Sequence, residues 1–347
     1  MVFTRRGKVI SAVVAVLVVA AVAVGALVVM GKAPGPIQHL ADEVRSSSPP
    51  PICPLTGLPA RGGKIPERPA LAIKVENLPD ARPQYGLGTA DIVYEEPVEG
   101  GITRFIVVYH CADAARVEPV RSARTTDPEI LVQLGTAAFG YADAARYVQN
   151  AVQKVKQIDD VNWQKVPDAY HHDPNRAAPH DLYTSTDELW AAAKKKFLKP
   201  PTPIFSYGEM SAKSKKVRDV RLYFSDYSDV HWAWSASKGV WLRYHGSVPH
   251  RLVDDGQVEA TNVLIQIVEV QNSSHKDAAD NPVPVVALTG SGKAYLLRDG
   301  RMYSGKWQRA SDEDLTTFST ASGKEFVLAP GETWVELFPK DRGKPEL

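Results

Sequence analysis

A single N-terminal membrane helix, a mixed α/β (α+β) domain and a smaller, mainly antiparallel β domain are what the sequence predicts. Three observations carry that reading. Residues 9–31 hold no charged side chain and consist mostly of Val, Ala and Leu. Residues 53–200 interleave short β-branched runs with stretches of helical period. "KPPTP" at 199–203 then breaks a helix and marks a boundary, and beyond it strand-like runs separated by turn residues take over.

The apolar run exceeds the roughly 20 residues that a helix needs to cross the hydrocarbon core of a bilayer. It is also longer than the apolar core of a cleaved signal peptide, about 7–15 residues. Arg5, Arg6 and Lys8 precede it and only Lys32 follows closely. The positive-inside bias therefore leaves the N-terminus cytoplasmic and predicts a single-pass protein of the cell membrane with extracytoplasmic domains. Residues 1–31 read as cytoplasmic tip and anchor. Residues 32–52, rich in Pro, Gly and Ser, read as a stalk. Two folded domains are expected above it, 53–200 and 201–347.

The chain has 347 residues and is 44% hydrophobic, enough for real cores. Its 41 basic and 40 acidic residues give a formal charge of +1, a balance without the electrostatic footprint of a nucleic-acid binder. Cys53 and Cys111, its two cysteines, both fall in the part expected outside the cytoplasm. A disulfide is permitted there, but sequence does not fix their Cα separation, and a bridge and two separate thiols both stay open. No CxxC pair exists, which disfavours a cysteine metal site. "PPPIC" places Pro and Ile where small residues precede a lipidated cysteine.

In chain order, "PALAIKVEN", "ADIVYEE" and "GITRFIVVYH" read as strands, the last with an unbroken Phe105–Tyr109 run that predicts cover on both faces. "TTDPEILVQLG" has Thr126 and Glu129 at capping-box spacing and Pro128 near a first helical turn. In "ADAARYVQNAVQKVKQ" Val148, Val152 and Val155 share one helical face. "STDELWAAAKKKF" repeats the box with Ser185 and Glu188 and is expected to bury Leu189, Trp190, Ala193 and Phe197, with Lys194–Lys196 suiting the helix dipole. "VRLYFSD", "VWLRYHG", "TNVLIQIVEV", "VPVVALTG", "KAYLLRDGRMYSGKW" and "EFVLAPGETWVELFP" supply the later strands, with Asp299–Gly300 as a hairpin mark.

"CPLTGLP", "KVENLPDARPQYGLGTADIVYEEPVEGGITRF", "PVRSAR" and "APHDLYTS" together resemble the YerB-like lipoprotein family, over roughly Cys53 to Pro339. The resemblance implies a two-domain, anchored bacterial envelope protein. Two departures stand out. Many relatives are lipid-anchored, whereas here the anchor reads as a helix. The family usually has Asn after "APH", where this chain has Asp181.

For chemistry, "EEPVEGGITRF" places Glu95, Glu96 and Glu99 ahead of Gly100–Gly101 and Arg104. Pro97 and the glycines are turn residues, so the acids are expected exposed at a hairpin end, with optional ion pairs worth about 0–1 kcal/mol. Alternatively Glu95, Glu99 and Arg104 line a cleft, where two carboxyls of split pKa can act as acid and base. "PVRSAR" puts Arg121 and Arg124 before a predicted helix start, a fit for phosphate or carboxylate or for a loop ion pair. "YHHDPNRAAPHDLYTS" gathers His171, His172, Asp173, Arg176, His180 and Asp181 in an extended loop. Its histidines match no helical ligand spacing, so metal binding through His171, His172 and Asp173 is the weaker expectation, and ligand contact through Arg176, His180 and Asp181 the stronger. "TGSGKA" lacks the first Gly and the Ser or Thr of a phosphate-binding loop, and "SSHK" lies in an expected polar loop; neither reads as a site. Trp232, Trp234, Trp241, Trp307 and Trp334 are core by default, or a sugar-stacking face if aligned.

The leading expectation is an envelope binding module, membrane-bound through residues 9–31. Its contact surface is Arg104, Arg121, Arg124 and the 170–181 loop, and its partner an anionic or polysaccharide ligand, a cell-wall polymer or an envelope protein. The second is an envelope hydrolase or transferase using Glu95, Glu99 or His180. No cofactor is indicated.

Overall fold

Every apolar run read as a strand in the first half forms one, because each alternates core residues to both sides of a sheet. The structure is a computed structural model in which residues 49–277 and 279–347 are described. The expected anchor at 9–31 and residues 32–48 lie outside them. Among the described residues no helix is long and apolar enough to cross a membrane. The first half contributes β1 (Ala70–Glu76), β2 (Ile92–Pro97), β3 (Thr103–Tyr109), α1 (Thr126–Leu131), β4 (Ala137–Gly140), α2 (Arg146–Lys154) and β5 (Ile158–Asp160). The hairpin β6 (Tyr170–His172) and β7 (Leu182–Thr184) and helix α3 (Thr186–Ala192) complete it.

The second half is strand after strand. It opens with β8 (Ser206–Tyr207), β9 (Lys215–Lys216), β10 (Asp219–Ser225), β11 (Ser228–Ser235), β12 (Val240–His245), β13 (Val248–Pro249) and β14 (Glu259–Ala260). There follow β15 (Asn262–Val268), β16 (Val270–Lys276), β17 (Pro282–Val286), β18 (Gly290–Arg298), β19 (Arg301–Arg309), β20 (Thr317–Thr320), β21 (Val327–Leu328) and β22 (Thr333–Pro339).

An 11-stranded mixed sheet runs β20-β19-β18-β15-β22-β2-β3-β1-β4-β5, with β9 on β19. Parallel β22 joins the halves: it lies between β15 and β2, with Ile92 opposite Thr333 and Glu95 opposite Glu336. Residues 51–347 accordingly form one compact unit. Leu71, Ile73, Val75, Val93, Phe105 and Val107 feed the core on one face; Ala70, Ala72, Ile92, Tyr94, Ile106 and Val108 feed the core on the other. That double cover is why β1 and β3 are buried end to end. A second, five-stranded sheet of β10–β14 buries alternate residues, Val220, Leu222, Phe224, Val230 and Trp232, against the first face. Helices α1 and α2 cover the second face through Ile130, Leu131, Val148 and Val152.

Local signals are met unevenly. Ser185 caps α3 by accepting the Glu188 N–H at 3.2 Å, as its capping box predicts. The box at Thr126 does not form: Thr126 is the first helical residue and Thr125 makes no side-chain cap. Asp127, in the first turn, reaches back instead to accept the N–H of Arg124, ahead of the helix, at 2.6 Å. Asp299 and Gly300, at φ 52° and 64°, make the turn between β18 and β19, the left-handed pair a two-residue hairpin requires. "SSHK", expected in a loop, falls in strand β16. Trp232, Trp241, Trp307 and Trp334 are core, and Trp234 is partly buried against it. Cys53 and Cys111 are joined, with Cα atoms 6.2 Å apart. Closing a loop of that sequence separation contributes about 4 kcal/mol in the chain-entropy account.

Candidate functional site

β1 and β2 each pair antiparallel with β3, so they point the same way, as do β22 and β15 beside β2. Their carboxyl ends form one edge of the sheet, the side on which open α/β sheets place their ligands. This edge is where the apolar strands turn charged: Lys74 and Glu76 on β1, Glu95 and Glu96 on β2, Arg104 near the start of β3. Arg104 stands opposite Glu76 on one side and Glu96 on the other. The period of two sends Lys74, Glu76, Glu96 and Arg104 to one face, with Ala72 and Ile106. It sends Glu95 and Thr103 to the opposite face, with Phe105. Two charged clusters result, separated by the sheet.

The first cluster lies beneath the loops that carry "PVRSAR" and "APHDLYTS". Lys74 is paired with Glu96 and with Asp127, the latter at 2.6 Å, all three side chains fully buried. Burial pushes the Glu96 carboxyl up to about 7, against the opposing pull of Lys74. Glu76 is shared: its Oε1 lies 3.1 Å from Arg121 Nε and its Oε2 2.7 Å from His180 Nδ1. Arg121 Nη1 also donates to the Pro179 carbonyl at 3.1 Å, binding the two loops together. Arg124 grips Glu99 Oε2 with Nε and Nη2 at 2.9 and 2.7 Å. Arg104 is different. Its Nη1 donates to the Ser122 carbonyl at 3.1 Å, but its buried Nε has no partner and it forms no ion pair among the described residues. Burial, then the charges of Arg124 and Arg121, lower its pKa to about 9.

The second cluster is closed. Arg243 Nη2 donates to Glu95 Oε2 at 2.5 Å, and the Thr103 hydroxyl to Glu95 Oε1 at 2.6 Å. Glu336 adjoins Glu95 and accepts the Trp232 indole N–H at 2.8 Å. Burial, then the Glu95 charge, raise the Glu336 pKa well above the usual carboxyl range. His250 is kept neutral by burial and by Arg243, with Nδ1 2.7 Å from the guanidinium and Nε2 2.9 Å from Gln84 Oε1. Phe105 and Trp334 rings lie 5.4 and 5.2 Å from the guanidinium carbon.

These positions correct the expectation of exposed turn acids. Glu95 and Glu96 are 0% and Glu99 6% exposed. The hairpin end itself is as expected, with Gly100 and Gly101 at φ 70° and 75° and Val98 N–H donating to Ile102. What the local reading lacked is the cover laid over it by distant segments. Nor do Glu95, Glu99 and Arg104 line one cleft: Glu95 faces the other side of the sheet. Of the 170–181 loop, Pro179 meets Arg121 through its carbonyl and His180 meets Glu76, the carboxylate that Arg121 shares. His171 pairs with Glu188 at 2.6 Å, His172 with Asp181 at 2.7 Å, and Asp173 with Arg116. Arg176 donates to the Ala81 carbonyl at 3.0 Å and lies 3.6 Å from Glu118. Among the described residues no group of three or more His, Cys, Asp or Glu is placed to hold a metal. Cavities of 520, 390 and 560 Å³ are lined by residues other than Arg104, Arg121 and Arg124.

Sequence reasoning missed Lys74, Glu76, Asp127, Arg243, His250 and Glu336. One signal was present: "LAIKVEN" and "VWLRYHG" insert charge into otherwise apolar strands, where it must be paired or neutralised.

Two family models match the chain: "Protein of unknown function (DUF3048) N-terminal domain" over residues 55–199 and the corresponding C-terminal domain over 220–335. "Putative lipoprotein YerB" of Bacillus subtilis is 27% identical over 303 residues, which cover 82% of this chain and 86% of that protein. The crystal structure of YerB from Bacillus subtilis matches with a TM-score of 0.72 at 24% identity, over 86% of this chain and 100% of that one. That likeness is one of fold.

Proposed function

The chain belongs to the DUF3048 family of YerB-type proteins, and on that premise we propose that its folded part is an envelope module that binds an anionic group at Arg104, Arg121 and Arg124. The carrying observation is Arg104: a buried guanidinium flanked by two others, with an unpartnered Nε and no carboxylate of its own. Burying a charge without compensation is costly, and folds keep such groups where a ligand supplies the missing partner. Arg121, Arg124 and His180 side chains are 20%, 15% and 19% exposed, which leaves a way in from the loop side. A phosphate or carboxylate, borne by a wall polymer or an envelope protein, meets the geometry. The anchor we assign is residues 9–31, crossing once with the N-terminus in the cytoplasm. Both cysteines are engaged with each other, which supports a helix rather than a lipid as the attachment.

The test is Arg104→Met in the full-length chain. Loss of saturable binding of phosphate or acidic wall fragments, together with raised thermal stability, is the expected pair of results, the mark of a residue kept for a ligand. Lower stability with unchanged binding would make Arg104 a framework residue and end the reading.

A second reading has one observation in its favour. Glu76 holds His180 through Nδ1, and Nε2 makes no hydrogen bond among the described residues, the arrangement of an oriented general base.

A further inference from the structure

We infer that the crevice outside the carboxyl ends of β15 and β22 binds small amphiphilic anions, molecules joining an apolar ring or chain to a phosphate or carboxylate. The inference is independent of the arginine cluster. β15 and β22 are parallel neighbours ending at Val268 and Pro339, and the turns that follow them wall a cavity of 520 Å³. Small-molecule sites span about 300–1,000 Å³ and favour such ends of parallel strands.

The floor is apolar and fixed. Ile267 and Trp307 line it, and the Trp307 indole N–H donates to the Ile267 carbonyl at 2.8 Å, which pins the ring. Gly292 lets β18 lie against that ring: a Cβ there would stand 2.5 Å from both the Ile267 carbonyl and the Trp307 nitrogen. The rim is basic. Lys340 is engaged with Glu269, but Lys293 and Lys344 form no ion pair among the described residues. A neutral apolar ligand leaves the two ammonium groups idle, and a bare anion leaves the apolar lining of the crevice uncovered. A ligand with both parts uses both surfaces. The arginine cluster, by contrast, offers guanidinium forks without an apolar floor.

Calorimetric titration of full-length Arg104→Met, which lacks the proposed arginine site, in zwitterionic nanodiscs with naphthyl phosphate tests this, with empty nanodiscs as blank. Saturable one-to-one binding is expected. It should weaken at least tenfold in Ala287→Trp, whose indole fills the crevice. It should also weaken about tenfold in Lys293→Gln/Lys344→Gln, a factor equal to about 1.4 kcal/mol. Lys213→Gln, on a different cavity, should leave it unchanged, and inorganic phosphate and neutral naphthyl glucoside should each bind at least tenfold more weakly. Absence of saturable heat overturns the inference. So does full affinity in the lysine double variant, or a loss in Lys213→Gln with none in Ala287→Trp. Equal binding of either single-feature control overturns it as well. Should Ala287→Trp fail to fold, the lysine double variant decides.

Discussion

On either side of one sheet, a few ångströms of backbone apart, the same edge carries two buried clusters of charge that are built to different ends. On the Phe105 side, Arg243 and Glu95 neutralise one another and Glu336 keeps a proton. Neutral His250, Trp232 and Thr103 hydrogen-bond within it, although Arg243 Nε and one Glu336 oxygen have no partner. On the Arg104 side the acids are apportioned to Lys74, Arg121 and Arg124, and one guanidinium is left over beneath partly exposed loops. Burial of charge is common to both; closure of the charge balance is not. The closed cluster reads as framework and the open one as a receptor.

Breaking the closed side should have the largest effect. Arg243→Met strands Glu95 without its counter-charge and should cost about 3–5 kcal/mol, seen as a lower urea midpoint at unchanged slope. Next comes the titration of Glu96 on the open side. Its folded pKa is raised from an ordinary 4.5 to about 7, so the folded state binds the proton more tightly than the unfolded chain. Its stabilising contribution is complete below pH 4.5 and is lost as pH rises through 7. Glu96→Gln should remove on the order of 2 kcal/mol of that decline in unfolding curves taken across the interval, leaving the contributions of the other buried carboxyls, such as Asp91 and Glu129, and of the buried histidines. A Glu96→Gln variant whose stability changes with pH as the wild type's does over that interval would contradict the assignment, whatever His110, His245 and His250, all of lowered pKa, add to both. Arg104→Met should do the reverse of Arg243→Met, stabilising by ~1–2 kcal/mol in differential scanning calorimetry, because it deletes a charge with no mate. The smallest effect belongs at the loop rim: Asp181→Asn touches only the pair with half-exposed His172 and should shift stability by less than about 1 kcal/mol. A larger loss there would mean the loop, rather than the sheet edge, holds the site together.

Much of the scaffold was legible in the chain. The runs "ALAIKVE", "IVYEEP" and "TRFIVVY" became β1, β2 and β3 because β-branched residues with core on both sides leave little alternative. Arg104, Arg121, Arg124 and His180 do come together. The burial of Glu95, Glu96 and Glu99 was not legible, since turn chemistry is local and their partners are not. Arg243 stands 148 residues from Glu95, Asp127 is 53 from Lys74, and His180 is 104 from Glu76. Nor could one sequence show that Thr126 would make no capping box with Glu129 and that Asp127 would instead reach back to the Arg124 N–H. In each case a side chain was read for its neighbours in sequence and was claimed by another element.

Strand β22 has a consequence for how the molecule reaches this state. It is the last strand in chain order yet sits in the middle of the sheet, between β15 and β2. Until residues 333–339 are synthesised, two long apolar strands wait with bare edges, inviting pairing with other copies. Ribosome-bound or truncated chains that stop short of Thr333 should therefore be sticky, and a holdase that shields β2 would matter more to this protein's yield than any gain in its final stability.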